Sequence, residues 1–239
     1  MADFSNLGTK IDGYVRGIIF DLDGTLIKSV VDFPKMKRRM IEFINDLPMP
    51  GTNYKITQTT NEIISDLNVR MLQNGMSERD REEILNKISR ILTEVEFENL
   101  DLVELNPGVK EFIQHCYKNG IKMGILTRAS RDYLLASLEK TGIIEYFSVI
   151  LSRDEFTLLK AKPHQFALEY TIKELGLPPE NILFVGDHEI DFNCARNGNI
   201  RFVGVLSGSY NRIRFKEIGC EEVVSDFDEL AKLLFRLNT

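Results

Sequence analysis

Apolar positions along this chain follow two textures, and the change between them lays out the fold. A short unbroken apolar run through Ile18, Ile19 and Phe20 reads as a buried strand that stops abruptly on Asp21 and Asp23. Residues 34–98 then show three-to-four spacing and little else. Met36, Met40, Phe43, Ile44 and Leu47 form one stripe, and Ile63, Ile64, Leu67, Met71 and Leu72 a second. A third runs through Ile84, Leu85, Ile88, Ile91, Leu92 and Val95. This spacing predicts three helices whose stripes pack together as a small bundle, a dedicated partner-binding surface being the competing use. Pro48-Met49-Pro50-Gly51 and Asn74-Gly75 separate them, and Ser77 with Asp80 predicts a capping box for the third.

From Asn106 onward, helices and strands alternate. Asn106-Pro107 predicts an N-cap followed by proline at the first helical position, with Gly120 closing that helix. Strands are predicted over residues 121–127, 148–151, 181–185, 200–205 and 223–224, with helices over 131–140, 164–175, 189–196 and 228–234. Such alternation predicts βαβ units around a parallel sheet. The strand before Asp21 belongs to that sheet, so residues 28–103 are an insertion after it.

In a parallel sheet every carboxyl end lies on one edge, where open α/β sheets bind their ligands. Asp21 and Asp23 close the first strand, Thr127 and Arg128 the strand from 121, and Gly186-Asp187 the strand from 181. Asp191 follows one helical turn later, and Lys162-Pro163 precedes another helix. Singly these are turn acids, caps and a solvated lysine. Together they bring four carboxylates, a hydroxyl and an ammonium to one edge. Clustered carboxylates repel one another and rise in pKa. Mg2+ relieves that conflict and polarises a phosphoryl oxygen. One carboxylate can then attack phosphorus while a second protonates the leaving oxygen and later takes a proton from water. The hydroxyl, the ammonium and loop N–H groups stabilise the charge in transit. Gly24 suits a close backbone approach to a phosphate.

Composition narrows the partners. A net charge of −6 argues against nucleic acid, and the basic run at 35–39 reads as a solvated helix face. Three scattered cysteines, Cys116, Cys194 and Cys220, fit neither a disulfide framework nor a zinc site. Residues 1–13 lack the apolar core of a signal peptide, and no stretch approaches the ~20 apolar residues of a membrane span. We therefore expect a soluble cytoplasmic protein, monomer or homodimer, with no membrane partner.

These residues resemble the haloacid dehalogenase superfamily, in its phosphoglycolate-phosphatase-like branch with a helical cap. The resemblance rests on Asp21-Leu22-Asp23-Gly24-Thr25-Leu26, on Thr127 after an apolar strand, on Lys162-Pro163, and on Gly186-Asp187 with Asp191, all in family order. It implies an α/β fold: a Rossmann-like parallel-sheet core over 1–27 and 104–239, with a mobile α-helical cap domain over 28–103. It implies a Mg2+-dependent phosphatase acting on a small phosphorylated metabolite such as phosphoglycolate or a sugar phosphate. Asp21 would be the nucleophile, Asp23 the general acid/base, and Thr127 and Lys162 the phosphoryl-binding groups beside Gly24. Mg2+ would be held by Asp21, the Asp23 carbonyl and Asp187, with Asp191 orienting Lys162 or a metal-bound water. Arg128 and His188 depart from the family pattern. Arg128 reaches the phosphate, a second anionic group of the substrate, or solvent, and Lys160 competes with Lys162 for its role. A phosphosugar mutase of the same superfamily and a non-catalytic regulatory protein are the alternatives.

Overall fold

The computed structural model describes residues 7–11 and 15–237. Parts of the stretches assigned above, residues 1–6, 12–14 and 238–239, lie outside them. Leu7–Ile11 (β1) pairs antiparallel with Phe235–Leu237 (β8) as a separate two-stranded ribbon. Gly17–Phe20 (β2), Lys122–Leu126 (β3), Val149–Leu151 (β4), Ile182–Gly186 (β5), Arg201–Val205 (β6) and Val223–Val224 (β7) form a parallel sheet in the order β4-β3-β2-β5-β6-β7.

β2 is one of the two central strands and every residue in it is buried. Its side chains alternate between two cores, as a strand's two-residue period requires. Ile18 and Phe20 enter the layer shared with Val109–Lys118 (α4), Arg131–Thr141 (α5) and Phe227–Leu234 (α9). Ile19 enters the opposite layer with Gln165–Leu175 (α6), Glu189–Asn197 (α7) and Arg212–Glu217 (α8). Phe20 meets Phe112 and Phe147 edge-on and stacks on Phe227 at 6.3 Å. This is the expected α/β, Rossmann-like core.

Between β2 and β3 come Phe33–Asn45 (α1), Thr60–Gln73 (α2) and Glu78–Phe97 (α3). Their stripes are buried at Met36, Met40 and Ile44, at Ile63, Ile64, Leu67 and Met71, and at Ile84, Ile88, Leu92 and Val95. Leu72, placed in the second stripe by spacing alone, is 51% exposed, one residue past the buried face of Leu67 and Met71. The reciprocal capping box occurs at Thr59 and Glu62, at the start of α2. At Ser77 the Asp80 N–H donates to the hydroxyl at 3.2 Å, but the hydroxyl donates to the Asp80 carboxylate instead of leaving it for the backbone.

The start of α4 differs from expectation. Gly108, at φ +80°, is its N-cap. Asn106 is used elsewhere: its side-chain amide donates to the carbonyls of Thr25 at 2.8 Å and Ile27 at 3.1 Å. It thus ties the chain returning from the insertion to the chain leaving β2. The elements β1, β8 and α8 were not anticipated. α8 is six residues long and anchored by Phe215 alone, too short for periodicity to register.

Candidate active site

The parallel register brings the polar ends of β2, β3 and β5 side by side, with Phe20 opposite Ile125 and Val185. Asp21 keeps the pairing for one more residue, its N–H donating to the Val185 carbonyl at 3.0 Å. The chain then folds back on itself, with the N–H groups of Leu26 and Ile27 on the Leu22 carbonyl and Gly24 at φ +82°. A Cβ on Gly24 would sit 2.6 Å from an Asp187 oxygen. The glycine therefore makes room for a second acid as well as a left-handed turn.

Asp21, Asp187 and Asp191 are buried, and each offers an oxygen within 4.8 Å of the others. Each of these acids has partners close by. Lys162 Nζ bridges Asp21 Oδ1 and Asp191 Oδ1, the latter at 2.6 Å, and is 2% exposed. The other Asp191 oxygen accepts the His188 N–H at 3.1 Å as part of the cap of α7. Asp187 accepts the Thr25 hydroxyl at 3.2 Å and the Ser209 N–H at 2.7 Å. Asp191 thus spans the Lys162 ammonium and the His188 N–H with its two oxygens. Lys160, by contrast, is exposed and lies over the Phe166 ring.

Burial raises Asp21 to about 6 against the pull of Lys162, with the Asp191 charge adding to the rise. Burial, followed by the charges of Asp191 and Asp21, raises Asp187 to about 7. Such a set is short of positive charge, and its all-oxygen donors suit a hard divalent cation such as Mg2+. Asp23 is not part of the triad. Its carboxyl is pushed well above the usual range by desolvation and then by the charges of Asp21 and Glu96. The Tyr133 hydroxyl donates to Asp23 Oδ1 at 3.2 Å. Thr127 is 3% exposed and accepts the Ala129 N–H at 3.1 Å, which leaves its hydroxyl proton for another acceptor.

Asp21, Asp23, Thr127, Lys162, Asp187 and Asp191 line one cavity of about 340 Å3, closed on its far side by α1, the α2 N-terminus and α3 through Phe33, Met36, Thr59, Asn61 and Leu92. Three features escaped the sequence. Tyr133 sits inside a helix with no local signal. Ser207 and Ser209 follow β6, where the Ser207 hydroxyl holds the Gly24 carbonyl at 2.7 Å. Glu96 and Arg153, both buried, pair across the cavity wall, and Arg153 also donates to the carbonyls of Ser89 and Arg128 and to Thr93 Oγ1. The last was hidden because a stripe of apolar residues on α3 says nothing about its polar flank.

Known proteins share this sequence and fold over most of their length. A phosphoglycolate phosphatase of Nitrosococcus oceani is 28% identical over 218 residues, 91% of this chain and 95% of its own. The pyrophosphatase PpaX of Oceanobacillus iheyensis is 25% identical over 225 residues, 92% and 97% of the two chains. The crystal structure of a hydrolase from Pseudomonas syringae superposes with a TM-score of 0.66 at 23% identity, covering 91% of this chain and 97% of that one. Residues 18–205, the span from β2 through β6 that supplies every acid of the site, match the profile of the haloacid dehalogenase-like hydrolases, and the chain belongs to that family.

Proposed function

We propose that this chain is a Mg2+-dependent phosphatase that hydrolyses a small phosphorylated metabolite, of the phosphoglycolate or sugar-phosphate type, through an aspartyl-phosphate on Asp21. The observation that carries the proposal is the division of labour among the acids. Lys162 holds one oxygen of Asp21, Asp191 fixes Lys162, and Asp23 stands apart, its carboxyl pushed upward by desolvation and by the Asp21 charge. The Asp21 oxygen not held by Lys162 attacks phosphorus, and the bond from phosphorus to the leaving oxygen breaks. Asp23 gives that oxygen its proton, then takes one from the water that attacks the aspartyl-phosphate and releases inorganic phosphate. The Thr127 hydroxyl and the Lys162 ammonium donate to phosphoryl oxygens. Asp21, Asp187 and the Asp23 carbonyl would hold Mg2+, which supplies Lewis-acid stabilisation of the phosphoryl oxygens.

Residues 28–103 act as a cap domain over the core of 1–27 and 104–239, excluding bulk water when closed. A cavity of about 340 Å3 suits a metabolite and leaves no room for a macromolecule. Phosphate release from phosphoglycolate, several sugar phosphates and inorganic pyrophosphate, with Mg2+ and without it, tests the proposal. Wild type should release phosphate only with the metal, and D21N should not. An isomerised sugar phosphate in place of inorganic phosphate would identify a mutase, and an inert wild type across the panel would end the catalytic assignment.

A further inference from the structure

Two of the cations that line the cavity have no carboxylate bonded to them. Lys162 is matched by Asp21 and Asp191, and Arg153 by Glu96. Arg128 instead donates to two neutral oxygens, the Lys162 carbonyl and Asn61 Oδ1 at 3.4 Å. Lys37, on α1 opposite, donates to the carbonyls of Ile56 at 2.8 Å and Gln58 at 3.3 Å. Among the described residues, no acid lies within ion-pair distance of either side chain. The acids that act on Arg128 through space, Glu96 and Asp21, are already bonded to Arg153 and Lys162.

A half-buried guanidinium has five donors in a planar fork, of which neutral acceptors here use one nitrogen. Leaving such a charge unmatched is unfavourable, and a bidentate anion is its natural complement. Burial and the neighbouring Arg153 lower Arg128 to about 10, so it is still charged at neutral pH while its solvation is poor. Arg128 directly follows Thr127, placing it beside the phosphoryl site, whereas Lys37 reaches the same cavity from the helical insertion.

We propose that Arg128 and Lys37 form a subsite for a second anionic group of the substrate, so that the preferred substrates are compact phosphate esters or anhydrides carrying a carboxylate or a further phosphate. The subsite rests on the phosphatase reading above and specifies its substrate class. Because Lys37 belongs to the insertion and Arg128 to the core, a substrate with both charges bridges the two parts of the molecule.

The test compares kcat/KM, with Mg2+, for phosphoglycolate, inorganic pyrophosphate and ethyl phosphate, the last having no second anion. Wild type should prefer at least one of the first two over ethyl phosphate by about 10- to 100-fold, the range of a charge-assisted hydrogen-bonded pair. R128Q should shrink that preference by a similar factor. R128K, which keeps the charge and loses the fork, should restore part of it, and K37Q should shrink it by a smaller factor through KM. The arm that responds, phosphoglycolate or pyrophosphate, identifies the anion. An unchanged preference in R128Q and K37Q, or a wild type with no preference, overturns the subsite. Should R128Q fail to fold, the wild-type comparison and K37Q still decide. Turnover of p-nitrophenyl phosphate separates the two levels: an enzyme active on it but indifferent to the second anion loses only the subsite, whereas one inert on every ester loses the phosphatase assignment too.

Discussion

Asp21 and Asp23 lie two residues apart, yet Lys162 holds one and Tyr133 the other. A carboxylate pinned by an ammonium is disposed to act as an anion, and one desolvated beside other acids is disposed to keep its proton. The roles can be separated by substitution. D21N should cut phosphate release by at least about 1,000-fold while leaving the fold intact, since the amide fills the same space without the nucleophilic charge. A circular-dichroism melt alongside the kinetics checks both halves of that expectation. Y133F removes one neutral hydrogen bond to Asp23, and kcat should fall about three- to tenfold with little change in KM. A rise in KM with unchanged kcat would place Tyr133 in substrate binding instead.

At the scale of elements, Arg153 joins the turn after β4 to three successive turns of α3 at Ser89, Thr93 and Glu96. Breaking a buried pair strands the surviving charge. R153A should therefore cost about 3–5 kcal/mol in chemical denaturation, while R153M combined with E96L should recover much of the loss. A double variant as unstable as R153A would show that packing around the guanidinium outweighs its charge. The elements themselves were legible to very different degrees. β2, β3 and β5 were readable because a parallel strand covered on both faces is a continuous apolar run. α1–α3 were readable from periodicity, although Leu72 shows that spacing cannot say where a stripe ends. The acids at the strand ends were legible once the sheet was inferred, because parallel strands leave only one edge for them. Tyr133, Ser209 and the Glu96–Arg153 pair were not, since each becomes polar machinery only through a contact distant in sequence. The start of α4 was misread because Asn106 offers one side chain to two possible tasks, and the carbonyls of Thr25 and Ile27 won.

For the molecule as a whole, three buried carboxylates on one sheet edge make stability depend on protons and metal together. In the metal-free protein Asp21 titrates at about 6 and Asp187 at about 7, above the ordinary 3.8 that each regains on unfolding. Between pH 4 and 7 the folded state thus binds more protons than the unfolded one. Its stability from these groups is greatest below the unfolded value and is lost as pH rises through the folded values. The melting temperature of metal-free protein should fall from about pH 5 to about pH 7.5. Millimolar Mg2+ should raise it more at the higher pH, because protons and metal compete for the same oxygens. Differential scanning calorimetry after chelation reads both effects, and a Mg2+ shift independent of pH would contradict the assignment of these acids as ligands.

The position of β2 in the sheet has a consequence for how the molecule is made. The first strand of the parallel sheet to leave the ribosome is one of its two central ones, and its two neighbours begin only at Lys122 and Ile182. Until both have been synthesised, Asp21 sits at the end of a strand with bare edges, and Asp187 does not yet exist. The site is thus completed late by necessity, and its assembly certifies that the long-range topology has closed. A chain arrested before residue 182 should contain every helix of the insertion and still turn over nothing, whatever its helical content.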